Sequence, residues 1–291
     1  MLHQHSTSEL KLNLDSNDYT DINALIHSPF SYTVISAYHN HLTTFPQQIC
    51  NCINLKVLNL SCNQLTKVPT EIANLTQLEM LDLGHNKITD IPNELGLLKN
   101  LKFMYLSDNG IDYLPDSLAE LKNLLYFNAT DNNLNKLPDW LPKLANIKEV
   151  RLYNNQITDI SGTVTQLSSA REIHLMNNLL TDIPDDISSL TQVKILDLSN
   201  NSIQKISPNI SKLKRISSIN LRFNKLTKLP DSIGNLSSIE YLDLRANQLQ
   251  SLPDGMDNLP NLAKLDLRWN SFNKEPSIIK KLQDNGCVVF I

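Results

Sequence analysis

The stretch "YLDLRANQLQSLPDGM", residues 241–256, decides how the rest of the chain is read. Leu242 and Leu244 alternate with Asp243 and Arg245, the period of a short strand with one face buried. Asn247 stands where the alternation stops, and Pro253 opens a second half in which apolar residues no longer alternate. Sliding this pattern along the chain finds asparagine at positions 40, 63, 86, 109, 132, 155, 178, 201, 224, 247 and 270, a constant step of 23 residues. The first half of each unit follows L-x-x-L-x-L-x-x-N-x-L, as in Leu78, Leu81, Leu83, Asn86 and Ile88, or Ile239, Leu242, Leu244, Asn247 and Leu249. The second half reads apolar, proline, two variable residues, Ile or Leu, two variable residues, Leu, as in Val68, Pro69, Ile72 and Leu75.

A unit of this length cannot bury its apolar face alone, so stability comes from stacked neighbours and the ends need caps. The asparagine that recurs once per turn offers amide donors and an acceptor where the strand bends and backbone groups lack partners. The eleven asparagines are therefore expected to be internal scaffold. Ser161 and Ser207 replace the proline, and Ala37 and Ala129 replace a core leucine, which predicts local differences in packing. Glu275, in an apolar slot, marks the end of the regular array.

These units resemble the leucine-rich repeat family. The 23-residue form is similar to the intracellular repeats of Ras-pathway scaffolds and of effectors that bacterial pathogens deliver into host cells. The resemblance covers residues 32–283, and a fainter match fits Leu12, Leu14 and Asn17. It implies an α/β solenoid curved as a horseshoe, with a parallel β-sheet on the concave face and short helices, 3-10 turns and loops on the convex face. The expected organisation is a tail at 1–8, an N-terminal cap with a degenerate repeat at 9–31, eleven repeats at 32–283, and a capping strand at 284–291. The closing "PSIIKKLQDNGCVVFI" reads as a short helix, an Asp-Asn-Gly turn and a last strand.

With 30 acidic and 26 basic residues the formal charge is −4, which gives no reason to expect nucleic acid or an anionic membrane as partner. The start "MLHQHSTSELKLNLD" has no apolar run of the signal-peptide kind, and no later stretch is long enough to span a membrane. Membrane insertion is not expected. Cys50, Cys52, Cys62 and Cys287 are too few for a disulfide framework, so reduced thiols and a cytoplasmic protein are the expectation, or the host cytosol for a translocated effector. The Asn-x-Ser/Thr triplets at Asn59 and Asn128 read as by-products of composition.

Chemistry must be sought in columns, because equivalent strand residues line up about 4.8 Å apart across stacked units. Asp243 and Arg245 are expected to face outward beside Asp266 and Arg268, either as a self-neutralising ladder or as a binding surface. Arg222, Phe223 and Trp269 join them, and Arg with Trp is the make-up of an interface hot spot. A second patch gathers Phe103, Tyr105, Tyr126, Arg151, Tyr153, His174 and Met176. The column just before the asparagines begins His39, Cys62, His85 and Asp108, a candidate zinc or thiol site that lacks an evident fourth ligand or oxyanion hole.

No P-loop, dinucleotide-binding, zinc-protease or nucleophile-elbow motif occurs. The expectation is a non-catalytic protein-binding module without cofactor, recognising a protein through its concave face. By resemblance, the partner is a small GTPase, a phosphatase or another signalling component, or a host protein for a bacterial effector. One alternative is a thiol-dependent or metal-binding enzyme using His39, Cys62 and His85. Another is a scaffold joined through the convex face, including an exposed Trp140. A monomer is expected, with a dimer through the apolar edge of Cys287, Val289 and Ile291 as the alternative.

Overall fold

The computed structural model describes residues 10–291, so the expected tail and the first residue of the expected cap lie outside the described residues. The described residues form two compact units, divided between Asn133 and Leu134. In the first, β1 (Leu10–Asn13), β2 (Tyr32–Ser36), β3 (Val57–Asn59), β4 (Met80–Asp82), β5 (Phe103–Tyr105) and β6 (Tyr126–Asn128) pair in sequence order, all parallel. In the second, a parallel sheet runs through β7 (Glu149–Arg151), β8 (Glu172–His174), β10 (Ile195–Asp197), β12 (Ser218–Asn220), β13 (Tyr241–Asp243), β14 (Lys264–Asp266) and β15 (Val288–Phe290). Two shorter strands, β9 (Asp182–Ile183) and β11 (Lys205–Ile206), pair in parallel as a separate sheet of the second unit.

The strands are short because each unit needs only two inward side chains from its alternating run. Leu58 and Leu60 are fully buried while Asn59 between them is half-buried, and Leu58 pairs in register with Leu81. Proline then holds an extended conformation ahead of a 3-10 turn, as Pro69 does before Thr70–Asn74, whose Ile72 enters the core. Within each unit the core therefore lies between the sheet and the row of 3-10 turns. The serine replacements find other solutions. Ser207 accepts the Asn209 N–H at the start of Pro208–Lys212 and donates to Asp185, and Ser161 donates to Asp159 Oδ1 at 2.7 Å.

Asparagine locks successive turns together. Asn63 Oδ1 accepts the Leu42 N–H at 3.0 Å, and its Nδ2 donates to Ala37, Leu60 and Ser61 carbonyls at 2.9, 3.1 and 3.2 Å. Asn247 repeats the pattern with the Leu226 N–H and the Leu221, Leu244 and Arg245 carbonyls. These bonds join each turn to the one before it and satisfy backbone groups that the bend would orphan. The column is scaffold, as its spacing indicated.

The residue before each of the eleven asparagines is left-handed, with φ from 49° at Asp108 to 62° at Trp269. Ser16, before Asn17, shares the conformation at 55°. Asp and Asn tolerate it, and Asp108, Asp131, Asn154, Asn177 and Asn200 occupy the middle of the column. Bulkier side chains there cost about 1–2 kcal/mol each.

At the C-terminal end, α1 (Ile278–Asp284) buries Ile278, Ile279 and Leu282, and Gly286 takes φ 91° to turn the chain into β15. Val289 pairs with Leu265, which puts it on the same inward face as Cys287, but that face is more covered than an open apolar edge. Cys287 is buried and Val289 half-buried, while Val288, Phe290 and Ile291 are exposed. Because β15 pairs Phe290 with Asp266, Phe290 lies on the sheet face in the aspartate column rather than with Cys287.

Candidate functional site

The second unit's sheet face carries the densest grouping of sequence-selected residues. Asp243 and Asp266 are paired in register on β13 and β14. They face outward as expected but, contrary to expectation, they are not wet: their residues are 2% and 1% exposed. Each is covered by the arginine two residues on. Arg245 Nη2 donates to Asp243 Oδ2 at 2.6 Å and its Nε to Oδ1 at 3.0 Å, while Nε also lies 3.4 Å from Asp266 Oδ2. Arg268 grips Asp266 through Nη2 at 2.6 Å and Nε at 2.9 Å.

Such two-pronged, charge-assisted contacts are stronger than pairs between mobile surface chains. Burial works to raise the Asp266 carboxyl, but the Arg268 hydrogen bonds and the charge of Arg245 outweigh it and hold it below the usual carboxylate range. The ladder is thus a structural element whose outer surface is guanidinium.

Aromatic rings flank the ladder. Phe223 and Trp269 are exposed, at 46% and 66%, and stack at 6.4 Å with an interplanar angle of 29°. Ala246 stands between them in the same left-handed column, leaving the rings room to meet. Arg222 lies over Phe223 and Arg268 over Trp269, at 5.9 and 5.7 Å. Arg268 and Lys264 also approach the Phe290 ring, at 5.1 and 5.2 Å, and Lys264 approaches Tyr241 at 5.0 Å. Tyr241, Lys264 and Phe290 escaped sequence reading, although placing the last strand in register with β14 would have found Phe290. Arg222 differs from its column mates, since its Nε is buried and makes no hydrogen bond.

The expected middle patch falls in two units. In the first, Phe103 is exposed and the Tyr105 and Tyr126 rings are 4.9 Å apart and tilted by 36°. In the second, Arg151, Tyr153, His174 and Met176 are half-buried, and Arg151 Nε donates to Glu149 Oε1 at 2.6 Å.

Tyr38 adjoins both His39 and Cys62, whereas His85 is held by Asp108. His85 Nδ1 meets Asp108 Oδ2 at 2.8 Å, Cys62 interacts with the Tyr38 hydroxyl, and the His39 ring lies 5.8 Å from that of Tyr38. Burial pushes the Cys62 thiol up, with Asp82 and Asp108 adding to the shift against the opposing Tyr38 hydrogen bond. A nucleophilic cysteine needs the reverse. Trp140 is also corrected: it is 3% exposed, not a surface residue. Its slot is polar in most units, but here the 3-10 turn shortens to Leu141–Lys143 and Trp140 turns in just ahead of it. That removes the exposed tryptophan on which a convex contact was based.

The family model described as "Leucine-rich repeat region" matches residues 55–175 and 154–283. The chain belongs to the leucine-rich repeat proteins. Among solved structures, this leucine-rich repeat chain is similar to the plant peptide hormone receptor RGFR1 in complex with RGF2, at 27% identity and TM-score 0.75, covering 90% of this chain and 47% of that one. The present chain thus spans about half of that receptor chain. It is similar to the internalin InlF of Listeria monocytogenes at 22% identity and TM-score 0.58, covering 92% of each chain. The functional domain of InlJ, from the same organism, matches at 20% identity and TM-score 0.72 over 94% of this chain and 62% of that one. The internalins show likeness of fold. No curated protein matches the sequence. Among the described residues, no helix is long and apolar enough to cross a membrane.

Proposed function

We propose that this leucine-rich repeat protein is a non-catalytic binding module, acting as a monomer, that engages a signalling protein through its sheet face. The principal contact is the face of the second unit formed by Arg222, Phe223, Arg245, Arg268 and Trp269. Phe103, Tyr105 and Tyr126 on the first unit, and Arg151, Tyr153, His174 and Met176 on the second, supply further contacts.

The observation that carries this reading is the exposed Phe223–Trp269 stack, held in left-handed backbone. Aromatic side chains at these positions add conformational cost and contribute little to the core, so packing alone gives no reason for them. Exposed aromatics beside arginine have the composition of an interface anchor. The plant peptide hormone receptor RGFR1, which shares this fold, holds RGF2 in its complex, and that supports use of the fold to bind another molecule.

A reducing compartment, cytoplasmic or host-cytosolic, fits the thiols. All four cysteines are free, and burial first of all pushes the Cys50 and Cys52 thiols up to about 12 and about 11.

Affinity capture compares the parent with a Phe223→Ala/Trp269→Ala variant, using quantitative mass spectrometry. The expected result is one protein enriched by the parent and lost with the variant while both melt alike. Equal capture by both removes this face from the contact.

A further inference from the structure

A second feature lies at the other end of the same unit's sheet. β7 and β8 pair Glu149 with Glu172 and Arg151 with His174. Two glutamates thus stand opposite each other on neighbouring strands, where like charges repel. Arg151 Nε donates to Glu149 Oε1 at 2.6 Å. His174 Nε2 is buried, makes no hydrogen bond, and lies 3.5 Å from Glu172 Oε2. One carboxylate oxygen of each glutamate and one ring nitrogen of His174 fall within 4.8 Å of one another.

We propose that Glu149, Glu172 and His174 form a binding site for a divalent transition-metal ion of the zinc class. His174 distinguishes the group from a mere acidic cluster: its Nε2 is buried without a hydrogen bond, with Glu172 only approaching at 3.5 Å, and a metal ion would satisfy it. The donor set selects the class. Imidazole with carboxylates suits zinc and its neighbours, whereas calcium and magnesium favour oxygen alone.

Zinc ligands sit at about 2.0–2.2 Å from the ion, so tetrahedral ligand atoms are about 3.4 Å apart. The two glutamates retain partial exposure, 23% and 39% for their side chains, which leaves them freedom to close in. His174 on its short strand is the fixed point. Arg151 does not displace the ion from the scheme: by holding one oxygen of Glu149 it acts as the hydrogen-bonded support that metal-ligating carboxylates commonly have. Asp197, the strand neighbour of His174, is already committed to Ser199 and Asn220 and supplies no ligand. Three protein ligands leave a coordination position for water on the sheet face.

The test is equilibrium dialysis of the full chain against zinc, followed by elemental analysis, with parent, His174→Ala, Glu172→Gln and Cys62→Ser. One zinc per chain is expected in the parent and in Cys62→Ser, with affinity reduced at least tenfold in His174→Ala and Glu172→Gln. Cobalt(II) in place of zinc should give ligand-field bands without a thiolate charge-transfer band. Should His174→Ala fail to fold, Glu172→Gln, which retains the side-chain shape, decides. The proposal is overturned if the parent binds no zinc, if the folded site variants bind it as tightly as the parent, or if a thiolate band appears and Cys62→Ser abolishes it.

Discussion

The two tryptophans of this chain, both in the second unit, have opposite surroundings. Trp140 is 3% exposed beside the 3-10 turn Leu141–Lys143, and Trp269 is 66% exposed at the end of a sheet strand. The first contributes apolar area to the interior; the second occupies left-handed backbone at φ 62° and stacks on Phe223. Residue type therefore says little until the position in the repeat is known. A large ring behind the sheet supports the solenoid, and a large ring at the strand bend is left exposed, where the proposed function has it meet a partner.

The sharpest way to break that contrast is to truncate the buried ring. Trp140→Ala should cost about 3–5 kcal/mol of stability, the usual loss for a core tryptophan, measured by denaturant unfolding. A loss below about 0.5 kcal/mol would place Trp140 in the surface class.

Arg245→Ala comes next. Although its guanidinium belongs to the proposed contact, it is the partner of the almost fully buried Asp243 and also approaches Asp266. Its removal should destabilise by about 1.5–3 kcal/mol through loss of charged hydrogen bonds, so its effect on binding must be read beside its melting curve. Arg268→Ala should destabilise less, because Asp266 then retains Arg245 as a neighbour.

Asn201→Leu tests the scaffold column. The side chain accepts the Leu180 N–H and donates to the Leu175, Leu198 and Ser199 carbonyls, so substitution should cost about 1–3 kcal/mol despite added apolar bulk. An unchanged thermal midpoint would show that these bonds do not hold the turns together.

At Trp269 the expected sign reverses. Trp269→Asn should stabilise by about 0.5–1 kcal/mol, because Asn adopts left-handed backbone more readily than Trp. Calorimetric melting reads the difference, and destabilisation would mean that the exposed ring supports the fold.

The smallest effect concerns Asp82 in the first unit, whose carboxyl is raised chiefly by burial, against the Gly84 N–H and the charge of His85. A raised carboxyl penalises the folded state where the group is ionised, and the penalty disappears as pH falls and both states become protonated. Asp82→Asn should therefore raise stability near neutrality and lose that advantage through the ordinary carboxylate range. Asp266 has the opposite sign: its depressed value stabilises the fold above the ordinary carboxylate range, a contribution lost as pH falls through the folded value. Unfolding curves across pH test both.

The repeat was legible because a 23-residue step gives one asparagine the same backbone duties eleven times. Trp140 was misread because its slot is held by Glu71, Glu94 and Ser117 in earlier units, and periodicity carries no information about one turn that shortens. Asp243 and Asp266 were placed on the correct face but assigned the wrong environment: alternation gives direction, whereas their coverage depends on how the arginines fold back. The left-handed column had a visible signature in its run of Asp and Asn, which makes Phe223 and Trp269 the departures that matter. Metal ligands were sought in that column. Strand register instead brings Glu149 and Glu172 together beside His174, a pairing evident only when columns are read two at a time.

The most direct test of the division between buried support and presented face is calorimetric titration of the captured partner with the parent and Trp269→Ala, alongside their unfolding curves. Binding should weaken by about 1–3 kcal/mol, roughly five- to 150-fold, with stability equal to or slightly above that of the parent. Unchanged affinity, or weakened affinity accompanied by a matching loss of stability, would contradict the assignment of Trp269 to the partner surface.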